Sequence, residues 1–259
     1  MAETLEAEPA PSRSRVEILH LLLALLPKIP LMARVALLHI SRWSQQAKYL
    51  DLRTALTVAV LRSFLTPAKP LSITSTQRFL GRDPGIKGRI WVSKYAAPAP
   101  EGSALPDVLG KVIEGLQRSL AVGDAVGAAE LRLPAVVPVE AEWTGYRAGV
   151  AEDAELPPVS EEDKYHEMMK ECKSRVTVLY FHGGAYWLMD PATHRPTTKK
   201  LAKLTGGRCY SVRYRLAPQN PFPAALLDAL VSYLTLLFPP PGAFHDPVPP
   251  EDIVFAGDR

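Results

Sequence analysis

Cysteine is scarce in this chain, with only Cys172 and Cys209 among 259 residues. Disulfide-dependent secreted domains are small and cysteine-rich, so that class is excluded. The two thiols are expected to stay unbridged, Cys209 packing inside a strand as a small hydrophobe. A membrane-spanning run is missing too. The most apolar stretch, residues 16–26, is cut by Pro27, Lys28 and Pro30 short of the roughly 20 residues a span needs. Glu3, Glu6 and Glu8 stand where a signal peptide would be basic, and no small-residue cleavage site follows Leu26. Neither sign of charge dominates: 30 basic residues face 27 acidic ones for a net +3, which gives no case for nucleic acid. No Gly-x-Gly-x-x-Gly joins a strand to a helix, which removes dinucleotide binding.

What is present centres on residues 176–190. Val176 to Phe181 is a continuous β-branched, aromatic and aliphatic run, the pattern of a strand covered on both faces in a parallel sheet. It stops at His182-Gly183-Gly184-Ala185, where two glycines let the backbone bend and leave its N–H groups uncovered. Fixed backbone donors of this kind stabilise a developing oxyanion, because they need no reorganisation when charge appears. His-Gly-Gly also occurs in ordinary strand-to-loop turns.

Downstream, Tyr214-Arg215-Leu216-Ala217-Pro218 is followed by Pro221-Phe222-Pro223-Ala224-Ala225-Leu226 and Asp228-Ala229. Together with His-Gly-Gly-Ala-Tyr, this closely resembles the hormone-sensitive-lipase branch of the α/β-hydrolases, across residues 175–258. The resemblance implies an α/β fold: a partial α/β-hydrolase sheet, mostly parallel with its first strands antiparallel, and an N-terminal helical cap. It implies a carboxylic-ester hydrolase that needs no cofactor and no metal, acts on a small-molecule or lipid ester, and binds no nucleic acid. His182, Gly183, Gly184 and Ala185 then form the oxyanion-hole loop, with His182 helping to hold it and the neighbouring N–H groups binding.

In that family the next strand ends at a Gly-Asp-Ser-Ala-Gly elbow that presents the nucleophile, followed in chain order by an acid and a histidine. Here the strand candidate Ile253–Ala256 leads to Gly257 and Asp258, an elbow remnant, and Arg259 stands where serine is required. The expectation is a chain truncated just before its nucleophile, holding no catalytic residue and inactive in ester hydrolysis. The alternative is a non-catalytic half-hydrolase that binds a lipid, an ester or a partner chain.

The rest of the chain divides into a disordered tail over residues 1–15, a helical cap or lid over 16–130, and the N-terminal part of the hydrolase core over 131–259. Residues 16–26 suit a helix packed on the cap and also an interfacial helix, which would make a peripheral membrane contact on an otherwise cytoplasmic protein. Leu31–Leu65 is helical in its spacing, with Trp43 and Tyr49 expected to pack. Residues 67–105 read as connecting structure with one short strand candidate, 88–94; a helical pattern follows over 106–130, ending near Gly123 and Gly127. Pro134–Tyr146 reads as the first edge strands. Residues 152–173 read as a polar, acidic linker whose Glu161-Glu162-Asp163 run is a solvated face, not a metal site. Helices over 192–204 and 224–238, around a strand at Arg208–Arg213, complete the strand–helix alternation of a parallel sheet. His194 is expected at the surface or in a hydrogen bond, and Arg215 and Asp228 are expected to brace the loop.

Overall fold

A computed structural model of the chain describes residues 25–65, 72–100, 104–120 and 133–258. The proposed tail, most of the apolar stretch 16–26 and the glycines at 123 and 127 lie outside the described residues. The chain divides into two compact units, Met1–Ser72 and Ile73–Arg259.

In the first unit the helical pattern is broken into α1 (Ile29–Ile40) and α2 (Leu52–Leu65). The break has local causes. Arg42 adopts a left-handed φ of 59°, Ser44 caps a short 3-10 turn, and the Asp51 carboxylate accepts from Thr54 N–H at the start of α2. The expectation that Trp43 and Tyr49 pack is not met within the described structure, since they are 82% and 85% exposed on this inter-helix segment. Among the described residues no helix is long and apolar enough to cross a membrane.

The second unit is built on five strands: β1 (Ile90–Ala97), β2 (Val139–Tyr146), β3 (Thr177–Phe181), β4 (Arg208–Arg213) and β5 (Ile253–Gly257). Their spatial order is β1-β2-β4-β3-β5. The first pairings, β1 with β2 and β2 with β4, are antiparallel; β3 pairs parallel with both β4 and β5. Two expectations change here. The short candidate at 88–94, inside a stretch read as connecting structure, is the core of the edge strand β1. That edge strand makes β2 an interior strand, and the sheet thereby draws on residues 16–130 as well as 131–259.

Helices cover both faces. On one side Ala202 of α6 (Arg195–Thr205) packs with Val178, Tyr180 and Cys209. On the other, Leu179, Tyr210 and Trp143 pack with Tyr165 and Met168 of α5 (Glu161–Glu171) and with Val231 and Leu236 of α7 (Ala224–Leu237). Successive residues of β3 serve opposite layers, which is why residues 178–181 are apolar at every position. The supposed acidic linker is largely α5. Ser160 Oγ accepts from Asp163 N–H as an N-cap, Glu161, Glu162 and Asp163 sit at the positive end of the helix dipole, and Tyr165 and Met168 are spaced to share one buried face. Among the described residues no cluster of His, Cys, Asp or Glu converges as metal ligands.

Two further helices, α3 (Ile73–Leu80) and α4 (Leu105–Leu120), belong to this unit. Leu109 and Ile113 of α4 meet Leu227 of α7. The two cysteines are free. Burial raises the Cys209 thiol to about 12, so it stays protonated and inert.

Candidate active site

The parallel strands β3 and β5 end together, and loops leaving a parallel sheet at its C-terminal edge are where such folds bind ligands. A cleft of about 730 Å³ opens there, bounded by the His182–Tyr186 loop, the β5 end through Asp258, Tyr214, and the first turns of α7. Phe181, Tyr186, Leu226 and Phe255 give it apolar walls.

The loop after β3 is held in an uncommon backbone shape. Gly184 has φ +116°, and a Cβ there would lie 2.4 Å from the Leu188 carbonyl oxygen, so only glycine is accommodated. Ala185 and Tyr186 follow at φ 53° and 61°. A left-handed alanine is strained by roughly 1 kcal/mol, so Ala185→Gly is expected to raise unfolding stability by about that amount or slightly less, glycine adding unfolded-state entropy. Urea denaturation of the two proteins checks this, and a destabilised variant would contradict it.

Polar contacts pin the loop from three sides. Leu188 N–H donates to Gly184 O, and Ala217 N–H donates to Tyr186 O at 2.9 Å. The Gln77 side chain of α3 donates to Trp187 O and Ala217 O, each at 2.8 Å. Asp258 supplies the third anchor. Its Oδ1 accepts from Gly183 N–H at 2.9 Å and from Tyr180 Oη at 2.6 Å, while Oδ2 lies 3.2 Å from His194 Nε2. Burial pushes this carboxyl up, but the bonds from Tyr180 and Gly183 and the neighbouring His194 outweigh it, leaving it below the usual carboxylate range. Gly257 permits the approach, since a Cβ there would meet Phe181 O at 2.7 Å.

Of the loop residues named from sequence, Gly183 therefore has its N–H engaged by Asp258. Among the described residues no acceptor is paired with the N–H of Gly184 or Ala185. His182 is buried, stacked on Tyr214 with ring centres 4.3 Å apart, and the Tyr214 hydroxyl donates to the His182 carbonyl. His194, expected at the surface or in a hydrogen bond, is mostly buried and hydrogen-bonded as the outer partner of Asp258. Arg215 and Asp228 brace the site from behind. Asp228 accepts from Arg215 N–H at 2.7 Å and from its guanidinium Nη2 at 2.8 Å. Gln77 and Tyr180 are not legible as site residues in the sequence, because a lone glutamine or tyrosine in a helix or strand carries no local signal of a partner.

Burial lowers the pKa of His182 and likewise of His245 from the ordinary 6.5. The unfolded chain therefore takes up protons that the folded chain refuses. Stability is fully present above about pH 6.5 and falls as the pH drops toward the folded values, by up to about 1.4 kcal/mol per pH unit for each histidine. Denaturant midpoints between pH 7.5 and 5.5 test this; a flat profile would contradict neutral burial.

A family model described as the α/β hydrolase fold matches residues 178–259. An acetyl-hydrolase of Streptomyces hygroscopicus is 38% identical over 82 residues, covering 32% of this chain and 25% of that protein. Esterase LipI of Mycobacterium tuberculosis is 32% identical over 133 residues, covering 51% of this chain and 41% of the esterase. Human hormone-sensitive lipase is 36% identical over 61 residues, 24% of this chain and 6% of the lipase. The chain thus spans less than half the length of these curated relatives. The sheet, its crossover helices and the matched segment together make this an α/β-hydrolase fold, in the part that carries the loop after β3 and the end of β5.

Proposed function

We propose that the cleft is the acyl-binding and oxyanion-stabilising half of a serine-dependent carboxylic-ester hydrolase site. The observation that carries this reading is the pair of N–H groups at Gly184 and Ala185, which lack an intramolecular acceptor among the described residues and belong to the loop that Gly183 ties to Asp258 at the rim of the cleft. In this reading a substrate carbonyl oxygen accepts from these two donors, and the negative charge that develops there in the transition state is stabilised by fixed dipoles. Gly183 serves indirectly, its N–H tied to Asp258 so that the following two donors keep their direction. His182, neutral and buried, packs beneath the loop. The apolar wall of Phe181, Tyr186, Leu226 and Phe255 takes the acyl or alcohol portion of a small or lipid ester.

Acyl transfer also needs a nucleophile activated by a base, which an acid orients. The described residues lining the cleft include no serine, threonine or cysteine. We therefore assign residues 1–259 by themselves no hydrolytic turnover, with Gly257 and Asp258 as the first two positions of an elbow. The same observation favours a second reading, in which these residues bind an ester or a partner without turnover. A lid role for residues 16–130, a cytoplasmic setting and a membrane contact through residues 16–26 belong to the first reading and rest on the sequence resemblance and composition.

The test is hydrolysis of a short-chain aryl ester by residues 1–259, beside a polypeptide continued through a Ser-Ala-Gly elbow and a C-terminal hydrolase segment. Turnover by the longer protein alone is the expected result. Turnover by residues 1–259 above a denatured control would overturn the assignment of no activity, and none by either would favour the binding reading.

A further inference from the structure

At the opposite, N-terminal edge of the parallel strands lies a second cavity of about 400 Å³, whose wall includes Tyr165, Cys172, Lys173, Arg208, Asp246 and Asp252. Register pairs of β3 and β4 run from Thr177 with Arg208 to Phe181 with Val212, so this cavity is separated from the cleft by about 13 Å of strand. Arg208, the first residue of β4, is only 8% exposed. No carboxylate among the described residues pairs with it. Its Nε is buried without a hydrogen-bond partner, its Nη1 reaches only Met169 Sδ at 3.2 Å, and its guanidinium lies 5.5 Å from the centre of the Trp143 ring.

The other arginines of the core are treated differently. Arg195 is gripped by Glu142 and Asp83, and Arg215 by Asp228. A guanidinium does not shed its proton, so burial without a counter-charge leaves a cost that a thioether and a ring face offset only in part. The two carboxylates in the cavity wall do not meet this need: Asp252 is engaged by Arg175 at 3.1 Å, and Asp246 is exposed and makes no ion pair with Arg208. Arg175, paired with Asp252, and Lys173 add two further cations to the same wall.

We propose that this cavity binds a small oxyanion group, the carboxylate or phosphate of a compact ligand, with Arg208 as its buried donor and Lys173 at its mouth. The guanidinium fork matches the geometry of either anion, and the Trp143 face holds its plane. The site is independent of the ester-hydrolase reading.

The test is a side-chain nitrogen–proton NMR titration of the full chain, 1–259, with sodium phosphate and separately with sodium acetate, chloride keeping the ionic strength constant. The Arg208 Nε–Hε signal is identified by its loss in Arg208→Lys. A saturable shift of that signal is expected, with affinity weakened about tenfold or more in Lys173→Gln. A response to phosphate alone or to acetate alone supports the site and names the anion. Absence of a saturable shift with both anions overturns the proposal. A parallel melting series provides a second readout: the anion that binds raises the wild-type midpoint, leaves that of Arg208→Met unmoved, and an equal rise in both proteins counts against the site.

Discussion

Arg195→Met is expected to destabilise the second unit by about 3–5 kcal/mol, the cost of stranding a buried charge. The Arg195 guanidinium donates through Nε and Nη2 to both oxygens of Glu142, at 2.8 and 2.7 Å, and through Nη1 and Nη2 to Asp83, at 2.5 and 3.0 Å. Glu142 lies in the interior strand β2 and is 2% exposed, so removal of the fork leaves its carboxylate with only Arg213, at 3.9 Å. Asp83 is partly exposed and recovers water, so Glu142 bears most of the loss. The same logic makes the double variant Arg195→Met with Glu142→Leu recover most of the stability, since an apolar pair of similar volume avoids both desolvation penalties. Urea denaturation of the two single variants and the double variant measures the coupling. A single variant within about 1 kcal/mol of wild type, or a double variant no better than Arg195→Met, would remove this account.

The second large effect concerns turnover in the longer polypeptide described above. Asp258→Asn is expected to lower kcat by about a hundredfold with little change in KM, because displacement of catalytic donors by an ångström has effects of that size. The carboxylate holds Gly183 N–H and Tyr180 Oη on Oδ1 and His194 on Oδ2, while a neutral amide keeps one uncharged oxygen for the first two and turns its NH2 group toward His194 Nε2. Steady-state hydrolysis of an aryl ester separates the two parameters. A kcat within about threefold of the parent protein would show that the loop keeps its direction without this anchor.

The strand at the centre of the parallel part was legible because both its faces are covered: residues 178–181 are apolar at every position, and in Arg208–Arg213 the apolar Cys209, Tyr210 and Val212 sit among polar residues that only the Tyr-Arg-Leu-Ala-Pro motif downstream helped to place. The loop after β3 was legible from Gly183 and Gly184. Less was legible at 161–171, where a run of carboxylates drew attention from the Ser160 cap and from Tyr165 and Met168 at helical spacing. β1 reads short in sequence because Pro and Gly around it resemble connecting structure, and its neighbour β2 lies about fifty residues away, beyond the reach of any local pattern.

Local chemistry alone determined the alternation of strand and helix from β3 to β5, the turn at Gly184 and the proline-bounded start of α7, since each depends on side chains within a few residues of one another. Tertiary structure alone decided the partners of the buried charges. Arg195 meets Glu142 across 53 residues, and Asp258 meets Gly183 across 75. An ion pair or an anchoring hydrogen bond needs only that two groups meet in space with water excluded. Periodicity records which face of an element is buried and leaves unrecorded which distant group will be waiting there, and that is why the unpaired Arg208 became visible only in the folded chain.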